Sequence, residues 1–140
     1  MTDTRRNLKL VVGYDGSDAA RRALARVREL AIDYQVLVIV AVAPDIRSAG
    51  LGAALAAPQI DTERLVAEAR DQLGNCQGAA IEARTAVGDP AVVLTDIARE
   101  LDAQLVIVGR RGRDFVARTL LGSVAHRVVE NAPCDVLVVA

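Results

Sequence analysis

The chain has few aromatic side chains, two cysteines and one histidine. Its 140 residues include two tyrosines, one phenylalanine and no tryptophan. Because single-stranded nucleic acids bind largely by stacking on aromatic side chains, this composition argues against such a ligand. Cys76 and Cys134 are too few for a disulfide framework and are typical of a reducing compartment. His126 has no cysteine or acidic neighbour at ligand spacing, so the sequence predicts no metal site.

The sequence also lacks long apolar runs and a strong net charge. The longest apolar stretch, Val36 to Ala43, is far too short to span a bilayer, and no secretory segment precedes it. A net charge of −1 gives no sign of a nucleic-acid partner. We therefore expect a soluble, cytoplasmic protein without a membrane or nucleic-acid partner. With 52% apolar residues, the chain 1–140 is expected to form a single domain.

Short β-branched runs alternate along the chain with segments of helical periodicity. Strands are predicted over Leu8–Gly13, Val36–Ala43, Ala79–Val87, Leu105–Gly109 and Val136–Val139. Helices are predicted to begin at Ser17, at Asp61 or Thr62, at Asp89-Pro90 and at Ser123. Residues 45–60 are predicted to be a variable or flexible connection, either loop or helix. The alternation predicts an α/β fold, a doubly wound, five-stranded parallel sheet with helices on both faces, of Rossmann-like type.

The most informative segment follows the fourth predicted strand. A glycine pair, a nine-residue spacer and a Gly-Ser pair bring together Gly109, Arg110, Arg111, Gly112, Arg113, Gly122 and Ser123. Glycine allows close approach of the backbone to a ligand, and the N–H groups of a helix start attract anions. The segment therefore predicts a phosphate cradle, although an ordinary strand–loop–helix connection would also use glycines. It matches neither the Walker pattern nor the dinucleotide-binding fingerprint.

Further residues of interest follow the other predicted strands. They are Gly13, Tyr14 and Asp15 after the first strand, Val42 after the second, and Val87 and Gly88 after the third. Because ligands of open parallel sheets bind beyond the carboxyl ends of the strands, these residues are expected to face the cradle. Asp15 by itself is typical of a turn, but in this place it would also accept a hydrogen bond from an adenine amino group or a ribose hydroxyl. No nucleophile–base set can be assembled, so no catalytic residue is predicted.

Four segments in this order resemble the universal stress protein family. They are Val11-Val12-Gly13-Tyr14-Asp15-Gly16-Ser17, then Val87-Gly88-Asp89-Pro90, the cradle spacing G-x-x-G-x9-G-S, and Ala132-Pro133-Cys134-Asp135-Val136-Leu137-Val138-Val139. The resemblance covers nearly the whole chain, and the complete glycine pattern is that of the ATP-binding members. It implies a fold like that of the adenine nucleotide alpha hydrolases, with ATP, alone or with Mg²⁺, as the cofactor.

The resemblance also implies a role for each matched position. Asp15 and the backbone of Gly13 would meet the nucleoside, and Val42 with Gly88 would line the adenine pocket. The ribose and phosphates would be held by residues among Gly109, Arg110, Arg111, Gly112, Arg113, Gly122, Ser123 and Val124. A homodimer through the last strand, Val136–Val139, is implied as well.

These expectations lead to one main hypothesis, an ATP-binding regulatory protein of the stress response that acts as a nucleotide-dependent switch on a protein partner still unknown. The alternatives are a slow ATPase or self-phosphorylating enzyme, a binder of cyclic AMP or another adenine nucleotide, and a dimeric interaction module with a vestigial pocket. Because no general base is evident near the cradle, the sequence favours binding over turnover.

Overall fold

The computed structural model describes residues 8–30, 34–45, 60–74, 78–112 and 121–140. In chain order the elements are β1 (Lys9–Gly13), α1 (Asp18–Glu29), β2 (Val36–Ala43), α2 (Thr62–Leu73), β3 (Ala80–Val87), α3 (Pro90–Glu100), β4 (Leu105–Gly109), α4 (Ser123–Asn131) and β5 (Asp135–Val139). This order confirms the predicted alternation. Among the described residues, no helix is both long enough and apolar enough to cross a membrane.

The strands form one parallel sheet in the order β3-β2-β1-β4-β5. The chain proceeds outward from β1 to β3 and then returns to place β4 on the other side of β1. The strand order therefore reverses between β1 and β4, where Val12 lies beside Ile107 in the register. In open parallel sheets this reversal creates a crevice at the carboxyl ends of the two central strands.

A hydrophobic core covers each face of the sheet. Because side chains alternate across a strand, Leu10 and Val12 of β1 face α1 and α2, whereas Val11 faces α3 and α4. Leu24 of α1 lies in one core and Val128 of α4 in the other, and both are completely buried. The predicted doubly wound sheet with helices on both faces is confirmed.

Local chemistry explains where the helices begin and end. The Ser17 hydroxyl accepts a hydrogen bond from the backbone N–H of Ala20 at 3.1 Å, which caps α1. Asp61 caps α2 in the same way, and Asp89 caps α3 ahead of Pro90. Capping satisfies N–H groups that have no partner inside the helix, so these residues fix the helix starts that the sequence predicts.

Several predictions concern residues outside these helix starts. His126 is an exposed residue of α4 that pairs with Glu130 at 2.9 Å, and half-buried Cys134 packs against the core beside α3 and α4. Most of the connection predicted over residues 45–60 lies outside the described residues, as do Cys76 and Arg113.

Candidate functional site

The end of β1 and the start of α1 form one wall of the crevice. The backbone N–H of Tyr14 donates to the carbonyl of Val40 at 2.9 Å, and Gly16, at φ +78°, then turns the chain toward α1. One carboxylate oxygen of Asp15 accepts from the backbone N–H of Ser17 at 2.9 Å. Asp15 is thus a turn residue, as its sequence context predicts, and this bond fixes the orientation of its side chain.

The residues after β4 form the opposite wall. The backbone N–H of Arg110 donates to the carbonyl of Val139, and that of Gly122 donates to the carbonyl of Arg110 at 2.8 Å. The start of α4 is therefore held against the end of β4 by backbone hydrogen bonds. Since its N–H group is already used in this way, Gly122 positions the segment rather than offering that donor to a ligand.

Gly112 brings the two walls together. A Cβ atom added to Gly112 would lie 2.8 Å from the second carboxylate oxygen of Asp15, so the carboxylate would have to move to accommodate it. The predicted approach of Asp15 to the glycine segment is therefore present, and glycine at position 112 permits it without displacing the carboxylate. Gly122 is confined in a similar way, because an added Cβ would lie 3.1 Å from the carbonyl oxygen of Arg110.

Gly109 has a different reason to be glycine. A Cβ atom there would lie 2.8 Å from the backbone carbonyl carbon of Ala19 in α1. The close approach that Gly109 permits is thus to a helix of the same chain. The Gly109 backbone also borders the crevice, so this packing contact leaves its predicted place in the site unchanged.

The crevice contains a cavity of about 90 Å³, which we call the apolar cavity because most of its lining residues are aliphatic. Helices α1, α3 and α4 contribute lining residues, whereas α2 contributes none among the described residues. The lining consists of Gly13, Tyr14, Asp15, Ser17, Ala20, Val40, Val42, Pro90, Leu94, Val108, Gly109, Arg111, Gly112, Val124 and Ala125. Most of this surface is aliphatic, with one carboxylate and one guanidinium at its polar side, which suits a flat apolar group with polar edges.

A second depression of about 430 Å³, which we call the polar recess, adjoins the first. It is lined by Gly16, Ser17, Asp18, Ala19, Arg22, Arg111 and Gly112. Ser17, Arg111 and Gly112 line both spaces, so a ligand can occupy the two together.

Tyr14 is buried at the boundary of the apolar cavity, where only 2% of its surface is exposed. Its hydroxyl is buried close to the Arg21–Glu68 ion pair without a hydrogen bond of good geometry. Burial raises the pKa of Tyr14, and the nearby Glu68 carboxylate adds to the rise. The phenol is therefore neutral at physiological pH and acts as part of the wall.

The structure brings together seven of the twelve predicted site residues at the apolar cavity: Gly13, Asp15, Val42, Gly109, Arg111, Gly112 and Val124. Gly88, Arg110, Gly122 and Ser123 line neither space. Gly88 closes β3 by donating its N–H to the Ala43 carbonyl at 2.9 Å, and Arg113 is outside the described residues.

Sequence reasoning noted Tyr14 beside Asp15 but did not predict the other lining residues as part of the site. Val40 could have been found from Val42, since residues two apart on a strand face the same side. Leu94 follows Pro90 by about one helical turn, so the two share a face of α3. Ala20, Val108 and Ala125 become visible as site residues only when the helices are placed on the sheet.

Among the described residues, no group of three histidine, cysteine or acidic side chains is arranged to hold a metal ion. The fold and crevice define an α/β protein with a parallel sheet and a lined crevice at the strand-order reversal. The family model described as the universal stress protein family matches residues 7–140, and the chain belongs to that family.

Individual relatives agree with this assignment. The chain is 33% identical over 141 residues to a universal stress protein of Methanocaldococcus jannaschii, covering 94% of this chain and 81% of that protein. It is also 33% identical over 137 residues to a universal stress protein of Mycobacterium tuberculosis, with 93% and 94% covered. Among solved structures, a universal stress protein in complex with cAMP superposes with a TM-score of 0.72 at 30% identity, over 95% of this chain and 97% of that one.

Proposed function

We propose that this protein binds an adenine nucleotide in the crevice and acts as a nucleotide-dependent regulator, with ATP as its physiological ligand. The observation that carries the proposal is the apolar cavity at the strand-order reversal, which opens directly into the polar recess. A purine ring is flat and apolar on its faces, whereas its ribose and phosphates are polar, so the two spaces suit its two parts. A related universal stress protein has been solved with cAMP, which supports an adenine ligand.

In this arrangement the base would occupy the aliphatic part of the apolar cavity, between Val42 and Leu94. The Asp15 carboxylate would accept a hydrogen bond from the nucleoside. The phosphates would lie toward Gly112 and Arg111, where glycine leaves the backbone open and the guanidinium supplies a positive charge. The first N–H groups of α4, near Val124, add the positive end of a helix dipole.

The experiment is calorimetry of the purified protein with ATP, cAMP, AMP and adenosine, accompanied by mass spectrometry of any ligand that co-purifies. GTP serves as the control for the base. We expect ATP to bind at least about tenfold more tightly than GTP, a difference of roughly 1.4 kcal/mol. Absence of binding by every adenine compound at millimolar concentration would rule the proposal out, and tighter binding of cAMP than of ATP would favour a cyclic-nucleotide sensor.

The regulatory part of the proposal rests on the backbone bonds behind the crevice. Gly122 bonds to Arg110, and Arg110 bonds to Val139 at the end of β5. A ligand that moves the segment after β4 would therefore change the position of β5, the edge strand of the sheet. Hydrogen exchange of the Arg110 and Gly122 amides should slow when ATP is added, and unchanged exchange at both would separate binding from any switch.

We propose further that β5 pairs with a second copy of the chain to form a homodimer. Its outer edge is not covered by another strand of the described chain, and Val136, Leu137 and Val138 are only half-buried. Exposed strand edges with apolar side chains tend to pair with another strand. Light scattering should give twice the mass of one chain, and a monomeric mass at tens of micromolar would contradict the proposal.

A further inference from the structure

Arg22 of α1 is the residue of interest, because it lines the polar recess but is not part of the glycine segment. Its Nε–H donates to the backbone carbonyl of Ala140 at 2.7 Å. Within the described part of the chain this is the one hydrogen bond of the Arg22 side chain. The bond anchors one edge of the planar guanidinium and leaves its terminal N–H groups as donors beside the recess.

The recess combines this guanidinium with that of Arg111. The acidic residue in the lining is Asp18, whose carboxylate is paired with Arg21 at 3.2 Å, so part of its charge is compensated from outside the recess. The ionisable side chains of the lining are thus two guanidiniums and one carboxylate, and each of the three has an interaction of its own. Such an environment favours a ligand that carries several negative charges over one that carries none.

The position of the recess beside the apolar cavity indicates which part of a nucleotide it would hold. Since Ser17, Arg111 and Gly112 line both spaces, a nucleotide whose base fills the apolar cavity directs its phosphate chain into the recess. Arg22 lines the recess and not the apolar cavity, so the phosphates furthest from the base are the ones expected to reach it. A nucleoside, which has no phosphate, would lack this contact.

On this basis, and resting on the proposed adenine-nucleotide function, we propose that Arg22 is a specificity-determining residue. It binds the terminal phosphates and so makes the protein select nucleoside di- and triphosphates over AMP, cyclic AMP and adenosine. The planar fork of arginine matches the oxygen atoms of a phosphate and is already oriented by the Ala140 carbonyl, which lowers the cost of ordering it.

The test compares Arg22→Gln with the unsubstituted protein by calorimetry with ATP, ADP, AMP and adenosine, in buffer containing EDTA. We expect affinity for ATP to fall about tenfold and affinity for adenosine to change by less than about twofold. Arg26→Gln is the matched control, because Arg26 lies on the same helix, pairs with Glu29 at 3.0 Å and lines neither space. It should leave all four affinities unchanged.

A second variant in the same recess should act in the opposite direction. Asp18→Asn removes a negative charge from the lining and should tighten ATP binding about threefold without affecting adenosine. Equal affinity changes for ATP and adenosine in Arg22→Gln, or no change in either, would overturn the role of Arg22 while leaving nucleotide binding intact. If the unsubstituted protein binds none of the four compounds, the proposed function itself fails and the role of Arg22 fails with it.

Discussion

The apolar cavity and the polar recess share three residues but differ in how their walls are made. The walls of the apolar cavity are mainly side chains of strands and helices that also belong to the hydrophobic cores, such as Val40 and Leu94. The polar recess is lined by the first turn of α1 and by the segment after β4. A substitution in the cavity therefore risks the fold, whereas one in the recess changes charge and contacts on an exposed surface. This difference predicts two classes of effect.

The largest effect is expected for Val42→Asp, which places a carboxylate at the apolar cavity. Because a charge in an apolar site has no compensating partner, affinity for ATP and for adenosine should both fall about 100-fold, as measured by calorimetry. Val87→Asp is the matched control, since Val87 lies on the adjacent strand, is 69% exposed and does not line the cavity. Loss of ATP binding alone would mean that the base does not occupy the apolar cavity.

Gly109→Ala should separate the role of this residue in the fold from any role in binding. The added methyl group meets the backbone of α1 at 2.8 Å, so either the helix or the strand must shift. We expect the free energy of unfolding in denaturant titrations to fall by about 2 kcal/mol.

Gly13→Ala is the comparison for Gly109→Ala. Its methyl group would lie 3.0 Å from the end of the Leu94 side chain, and that side chain can move. The free energy of unfolding should therefore fall less than in Gly109→Ala. Equal stability of the Gly109 variant and the unsubstituted protein would show that contact with α1 does not require glycine.

Gly122→Ala should affect mainly the part of the site that holds phosphate. Its methyl group would crowd the carbonyl oxygen of Arg110 and the Cα atom of Arg111 at 3.3 Å, which displaces the segment leading to Gly112. Affinity for ATP should fall about tenfold and affinity for adenosine by less than about threefold in the same calorimetric series. Equal losses for the two ligands would place the phosphates elsewhere.

The smallest effect is expected at Asp89, which positions the apolar wall through α3. Its carboxylate caps the helix and pairs with Arg127. Asp89→Ala should lower the free energy of unfolding by about 1 kcal/mol. Asp89→Asn can still cap the helix, so its free energy of unfolding should fall by less. Both variants should bind adenosine like the unsubstituted protein, because Asp89 does not line the apolar cavity.

The pH dependence of stability gives a second measurement at Asp89. The hydrogen bond from Arg127 holds the pKa of this carboxyl below its ordinary value of 3.8. Its contribution is therefore present above that ordinary value and is lost as the pH falls through the lowered one. As the pH is lowered, the free energy of unfolding should fall less steeply in Asp89→Asn than in the unsubstituted protein. The same pH dependence in both proteins would mean that the ion pair with Arg127 contributes nothing to stability.

The sequence predicted the elements well where local chemistry decides them. The bounds of β2 and β4 agree with the prediction, because unbroken β-branched runs are followed by Pro44 and by glycine. β1 starts one residue later than predicted, at Lys9, and β5 starts one residue earlier, at Asp135. The exact ends of both strands depend on backbone pairing with a neighbouring strand, which no local pattern records.

The candidate site was predicted less completely, for a physical reason. Asp15 and Gly112 are separated by 97 positions in the chain, yet the two meet across the crevice, where glycine at 112 leaves room for the carboxylate. A motif indicates such glycines but not what each one contacts. Gly109 and Gly112 belong to the same motif, although one is confined by α1 and the other by the Asp15 carboxylate.

The sequence by itself determined the alternation of strands and helices, the caps and the residues that follow each strand, because hydrophobic period and capping act within a few neighbouring positions. Only the tertiary structure decided the order β3-β2-β1-β4-β5, the two adjoining spaces at the reversal and the presence of Arg22 in one of them. Those features depend on strand pairing and on contacts such as that of α1 with β4, which join residues that are distant in the chain.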